Sequence, residues 1–155
     1  MTKKVIEKIK TLESKRAPWN VAPESMSFIL RLAEIIGCKN ILEIGTYNGY
    51  SALKLSLVTN KLITLERDEI FIKEAKENLK IAKNIKIIKG DALKTLKDKV
   101  IRNDSYDLIF IDAMKPEYQG YFLIVKKMLS NKGIIIFDNT ISHRKKIGET
   151  FFKEI

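Results

Sequence analysis

The sequence predicts an α/β fold built on a doubly wound parallel sheet, and three observations predict it. Five short runs are β-branched and almost continuously apolar, as strands buried on both faces must be. Each run alternates with a stretch whose apolar residues recur at helical spacing, the order that βαβ units produce. The first run leads into a glycine-bearing turn that opens a helix, which is where open α/β sheets place ligands. At 155 residues and 45% hydrophobic, the chain reads as one globular domain over 1–155 with enough apolar material for a core.

The expected strands are NILEIG at 40–45, KLITLE at 61–66, IKIIKG at 85–90, YDLIFIDA at 106–113 and GIIIFDN at 133–139. Before the first lies a helical pattern of Met26, Ile29, Leu30, Ala33 and Ile36. Between the strands come Ala52, Leu53 and Leu57, then Phe71, Ala75 and Leu79, a helix through Leu93 and Leu96, and finally Tyr118, Phe122, Val125 and Leu129. A last helical pattern carries Ile147, Phe151, Phe152 and Ile155. No linker, repeat or low-complexity tract interrupts this order.

Composition excludes several chemistries. One cysteine (Cys38) and one histidine (His143) cannot build a disulfide framework, a Cys/His zinc site or a two-histidine iron site. No apolar run approaches membrane-spanning length, and the N-terminal segment alternates Lys with Glu instead of carrying an apolar leader core. The expectation is a soluble, cytoplasmic protein. A net charge of +10 fits a polyanion partner such as RNA. It equally fits a lysine-rich solvated surface, since Lys is spread over every expected helix.

Function is therefore sought where strands end. The first ends in Glu43-Ile44-Gly45-Thr46-Tyr47-Asn48-Gly49-Tyr50-Ser51. A pyrophosphate site would place a second glycine where Tyr47 stands, and Glu43 would repel a diphosphate yet accept from an amine. The ligand reads as zwitterionic. Glu66, 21 residues after Gly45, ends the second strand where an acidic side chain reaches a ribose diol, so a nucleoside is implied. Asp91, after the third strand, either receives an adenine amino group or caps the following helix.

Asp112 and the pair Asp138-Asn139 end the last two strands. Three oxygen ligands at adjacent strand ends suit a hard divalent cation such as Mg²⁺. Lys115 stands within reach of the same mouth, or serves as a helix-start lysine before Pro116. His143 lies in a basic stretch and suits a solvated or phosphate-facing position.

In order and spacing, ILEIGTYNGYSALKLS, TLERD, KGDA, IFIDAMKPEY and GIIIFDNT resemble the cation-dependent O-methyltransferases that use S-adenosylmethionine, the group of catechol and caffeoyl-CoA O-methyltransferases. WNVAPESMSFILRLAEIIG resembles that family's entry to the first strand. The resemblance runs from about Pro18 to Asn139 and implies a Rossmann-like class I methyltransferase fold. It implies that Glu43, Gly45, Tyr47 and Ser51 hold the methionine end, Glu66 the ribose, and Asp91 with Ala92 the adenine. Val21, Thr46, Gly49, Arg67 and Asp112 join the implied cofactor set. Asp112, Asp138 and Asn139 would bind Mg²⁺, and Lys115 would be the general base.

Family members normally add an antiparallel strand pair after the fifth strand, which this sequence lacks. The expected consequence is an open edge at Ile134, Ile135, Ile136 and Phe137. Such an edge would be covered in a longer domain, by a second copy in a homodimer, or by Phe151 and Phe152 folding back. The acceptor implied is a small catechol-like aromatic; tRNA hydroxyuridine is the alternative within the resemblance, and a non-catalytic nucleoside- or RNA-binding module is the alternative outside it.

Overall fold

The computed structural model describes residues 2–98, 101 and 104–155. Its five strands are β1 (Asn40–Ile44), β2 (Lys61–Glu66), β3 (Ile85–Lys89), β4 (Tyr106–Ile111) and β5 (Leu129–Phe137). They form one all-parallel sheet in the order β3-β2-β1-β4-β5. The chain builds outward from β1 through β2 to β3, then returns to the other side of β1 for β4. The switch point therefore lies between the carboxyl ends of β1 and β4.

The helices are α1 (Thr2–Ser14), α2 (Pro23–Ile35), α3 (Tyr50–Leu55), α4 (Glu69–Leu79), α5 (Ala92–Thr95), α6 (Tyr118–Val125), α7 (Arg144–Ile147) and α8 (Glu149–Glu154), with a 3₁₀ turn at Lys115–Glu117. Alternation along each strand divides the core in two. Ile41, Leu62, Leu108 and Phe110 face α1 to α4, whereas Leu42, Ile44, Ile63, Leu65, Ile109 and Ile111 face α5, α6 and the terminal helices. Among the described residues, no helix is long and apolar enough to cross a membrane.

Three local expectations are corrected. Leu129 belongs to β5 and not to the preceding helix: α6 ends at Val125, and Leu129 pairs with Tyr106. A register irregularity then separates Tyr106 from Leu108 on the partner strand, and regular pairing resumes at Leu108↔Ile134. The apolar run beginning at Gly133 marks only that second stretch. Asp107 anchors the irregularity, accepting from the Ser130 hydroxyl at 2.8 Å and from the amides of Lys39 and Asn40 at 2.9 and 3.0 Å. Finally, the terminal helical pattern is broken at Gly148, whose φ of +90° suits glycine.

Helix α1 is an addition to the elements expected from alternation. It buries Val5 and Ile9, one turn apart, and its Glu13 accepts from Tyr50 Oη at 2.8 Å and Lys54 Nζ at 2.6 Å. That contact pins α1 beside the start of α3. At the other end of the sheet, β5 pairs among the described residues with β4 alone, and Phe151 folds back to place its ring 4.8 Å from Phe137. Phe151 is fully buried there, so the terminal helix covers one face of β5 within the chain.

Candidate active site

A cavity of about 720 Å³ opens at the carboxyl ends of the strands. Its wall includes Val21, Gly45, Thr46, Tyr47, Ser51, Glu66, Arg67, Ala92, Asp112, Lys115, Asp138 and Asn139. Of the residues expected at the site, Glu43, Gly49 and Asp91 stand behind this wall. The volume is that of a small-molecule site, and residues distant in sequence meet there because parallel strands end together.

The loop after β1 is shaped by close backbone approach. Gly45 has φ +100°, and a Cβ built on it would lie 2.1 Å from the Asp112 carbonyl oxygen. Only glycine lets β1 and β4 exit side by side. Tyr47 also takes a positive φ of 48°, Asn48 Oδ1 accepts from the Tyr50 amide, and Gly49 caps α3 in the left-handed region. Glu66 holds this loop from β2. Its Oε2 accepts from the Thr46 and Tyr47 amides at 3.2 and 2.9 Å, and its Oε1 from the Arg67 and Asp68 amides at 2.8 and 3.0 Å. A carboxylate has about four lone-pair directions, so any diol docking here shares oxygens that already organise two turns.

Glu43 points from β1 into the face covered by α1 to α4 and is fully buried. Its Oε2 accepts from Thr64 Oγ1 at 2.6 Å, and Thr64 Oγ1 in turn meets Thr46 Oγ1, while among the described residues no group lies within hydrogen-bond geometry of its Oε1. Burial pushes its carboxyl up to about 7; the hydroxyls of Ser51 and Thr64 oppose the rise, and the charges of Asp112 and Glu66 add to it. Because the folded value lies above the ordinary 4.5, the folded state binds this proton more tightly. The resulting stabilisation is complete below the unfolded value and is lost as pH rises through about 7. Glu43→Gln should therefore gain stability relative to the parent between pH 5 and pH 8, by on the order of 3 kcal/mol. Thermal melts across that range check it, and a difference that does not change with pH would refute the assignment.

The acidic strand ends form the opposite wall. Asp138 follows Phe137, which pairs with Ile111, so Asp112 and Asp138 leave adjacent strands at the same level. Burial raises the Asp138 carboxyl above its ordinary value, and the Asp112 charge adds to the rise. Asn139 is held at φ +56°, with its carbonyl accepting from the His143 amide and the Ser142 hydroxyl. Two carboxyls and an amide oxygen offer hard donors, and the mutual repulsion that raises Asp138 is what a cation would relieve. Among the described residues, no cluster of three or more His, Cys, Asp or Glu is arranged to hold a metal. Lys115 Nζ lies 2.7 Å from Asp112 Oδ1 and 2.7 Å from Tyr118 Oη. It thus lines the cavity mouth from the first residue of the 3₁₀ turn, combining the helix-start position with a place on the wall.

At the far end, Asp91 caps α5 by accepting from the Lys94 amide at 3.1 Å, and its neighbours Gly90 and Ala92 supply the wall. Arg67 reaches Glu117 at 3.6 Å and Asp91 at 4.0 Å, and Glu117 also accepts from Tyr121 Oη. Several wall residues escape sequence reasoning. Trp19, Tyr47 and Phe71 pack edge to face with centroids 4.9 to 5.7 Å apart, forming an aromatic rim from three separate segments. Trp19 and Phe71 read in sequence as ordinary apolar residues, and nothing short of the fold brings them together. Tyr121 also lines the wall, whereas Tyr118, which reads in sequence as a helix-core residue, stands behind it. Burial, reinforced for Tyr118 by the Asp112 and Asp138 charges and for Tyr121 by Glu117, holds both phenols above their ordinary range.

Comparison with known proteins agrees with this geometry. Residues 2–150 match the family model described as O-methyltransferase. The chain is 34% identical over 137 residues to a catechol O-methyltransferase of Niastella koreensis, covering 84% of this chain and 62% of that protein. It is 32% identical over 138 residues to a caffeoyl-CoA O-methyltransferase of Medicago sativa, covering 80% of this chain and 55% of that protein. The chain thus spans little more than half the length of these relatives. Among solved structures, an O-methyltransferase from Bacillus cereus in complex with SAH superposes with a TM-score of 0.81 at 28% identity, over 98% of this chain and 78% of that one. An SAH-bound methyltransferase from Podospora anserina superposes with a TM-score of 0.78 at 32% identity, over 93% of this chain and 65% of that one. A five-stranded parallel sheet with this strand order, a glycine loop abutting the Asp112 carbonyl and a match over nearly the whole chain lead to one conclusion: the chain belongs to the O-methyltransferase family.

Proposed function

We propose that the chain binds S-adenosylmethionine in the strand-end cavity and, with a divalent cation, methylates a hydroxyl of a small catechol-like aromatic. The observation that carries this reading is the convergence on one cavity wall of the glycine loop, Glu66, Asp112, Lys115, Asp138 and Asn139. S-adenosylmethionine supplies an electrophilic sulfonium methyl, and a hard cation such as Mg²⁺ acidifies the acceptor hydroxyl. The chain's residues supply the rest. The backbone of residues 45–51 lets the cofactor approach closely, with Glu66 at its ribose and Arg67 and Ala92 beside its adenine. Asp112, Asp138 and Asn139 hold the cation, and Lys115 Nζ receives the acceptor proton. The aromatic rim of Trp19, Tyr47 and Phe71 excludes water and favours in-line attack.

A small acceptor is preferred to tRNA because two cations of this mouth are paired locally, Lys115 with Asp112 and Arg67 with Asp91 and Glu117, while Arg16 is the further cation on the wall. Calorimetric titration with S-adenosylmethionine and S-adenosylhomocysteine tests the cofactor assignment. Glu66→Ala should bind at least about tenfold more weakly, a loss of roughly 1.4 kcal/mol, since it removes both the diol acceptor and the loop's anchor. Parent-like affinity would overturn the assignment. Methyl transfer to a catechol panel against total tRNA then decides the acceptor class, and binding without transfer to either would leave the chain a non-catalytic binding module.

A further inference from the structure

We propose that Tyr118 is a positioning residue for Lys115: its hydroxyl and the Asp112 carboxylate together hold Lys115 Nζ in the cavity wall and tie it to the Asp138 end of β5. This rests on the reading of Lys115 as the base.

The geometry is specific about who donates. A phenol has one hydrogen, and Tyr118 Oη directs it to the Asp138 carbonyl oxygen at 2.9 Å, with the Ile111 carbonyl oxygen a second acceptor at 3.2 Å. Toward Lys115 the same oxygen can only accept, and Nζ approaches it at 2.7 Å. Nζ donates a second bond to Asp112 Oδ1, also at 2.7 Å. Two of the three substituent directions on the nitrogen are thereby committed to the protein, and the third is left for the cavity that Lys115 lines. A lysine on a flexible four-carbon stem does not hold such a direction by itself. Tyr118 can impose it because its own ring is immobile: it is fully buried, with the rings of Phe137 at 5.2 Å and Phe151 at 6.1 Å. The hydroxyl thus converts packing under β5 and α8 into the placement of one nitrogen atom. A ring present only to fill the core would need none of these polar contacts.

Tyr118→Phe keeps the ring and removes the hydroxyl. It should lower kcat about tenfold to a hundredfold, the scale on which small misplacements act, while the KM and Kd of the cofactor stay unchanged. In a Lys115→Ala background the same substitution should cost nothing more, because its effect passes through Lys115. A second readout does not depend on turnover. In protein carrying ¹⁵N-lysine, the Lys115 side-chain nitrogen should give a signal whose protons are protected from solvent exchange, assigned by its loss in Lys115→Met, and Tyr118→Phe should abolish that protection. Additive losses in the double variant, or a Tyr118→Phe protein with parent-like rate and Lys115 signal, would overturn the proposal. Should Tyr118→Phe fail to fold, the parent spectrum decides, since an unprotected Lys115 signal is incompatible with the two bonds. Full turnover by Lys115→Ala would instead overturn the reading of Lys115 as base, and the protected signal would still report the geometry.

Discussion

Gly45→Ala should abolish cofactor binding and destabilise the fold by more than about 3 kcal/mol, because two penalties coincide at this residue. The backbone sits at φ +100°, which an L side chain resists, and the added methyl would meet the Asp112 carbonyl oxygen at 2.1 Å. Neither neighbour can yield cheaply. Gly45 is tied to β2 through its amide bond to the Leu65 carbonyl at 3.0 Å, and the Asp112 amide is tied to the Ile44 carbonyl at 2.9 Å. Relief therefore requires β1 and β4 to part at the switch point, which moves the loop and the Asp112 carboxylate together. Gly148→Ala is the control: its φ is +90°, but nothing lies within 4 Å of the added carbon, so it should lose only the conformational strain. Thermal melts and titration with S-adenosylhomocysteine measure both effects. Equal behaviour of the two variants would show that the approach at Asp112 is unimportant.

Asp138→Asn should separate stability from activity. Burial and the neighbouring Asp112 charge raise the Asp138 carboxyl, so its charged form is disfavoured in the folded protein. Removing that charge should raise the melting temperature at neutral pH, with the gain fading as pH falls and the parent's carboxyl takes up its proton. The same change removes half of the formal negative charge that Asp112 and Asp138 offer a cation. Lewis-acid assistance is worth several kcal/mol, so turnover should fall at least about a hundredfold, and excess chelator should reduce the parent to a similar level. Binding of Mn²⁺, followed by water proton relaxation, should weaken in parallel. A variant that melts lower than the parent, or a parent that turns over undiminished in chelator, would contradict the assignment.

Much of this arrangement is legible in the residues themselves. Apolar runs of KLITLE and LIFI type admit little besides buried parallel strands, since a strand covered on both faces cannot alternate with polar residues. Once the strands are parallel, their carboxyl ends share one edge of the sheet, and Glu66, Asp112, Asp138 and Asn139 are brought together by topology alone. The order of residues around Gly45 announces a tight turn into a helix for the same local reason.

Other features depend on contacts that no spacing encodes. Asp91 caps α5 through its bond to the Lys94 amide, a contact that spacing alone does not reveal, while Gly90 and Ala92 line the cavity beside it. Leu129 fits helical spacing from Val125, and only its pairing with Tyr106, across a bulge secured by Asp107 and Ser130, makes it a strand residue. Glu43 reads as a strand-end ligand, yet strand alternation turns it under the loop into a fully desolvated position. Trp19, Tyr47 and Phe71 meet from three separate segments, and the Tyr118 hydroxyl finds its acceptors in the carbonyls of Ile111 and Asp138. The parallel sheet and the edge where chemistry gathers follow from local periodicity and chain connectivity, and so are already written in the residues. Which side chains face the cavity, and which stand behind it holding the others, was decided by the tertiary structure, because burial and hydrogen-bond direction are properties of neighbours that lie far apart along the chain.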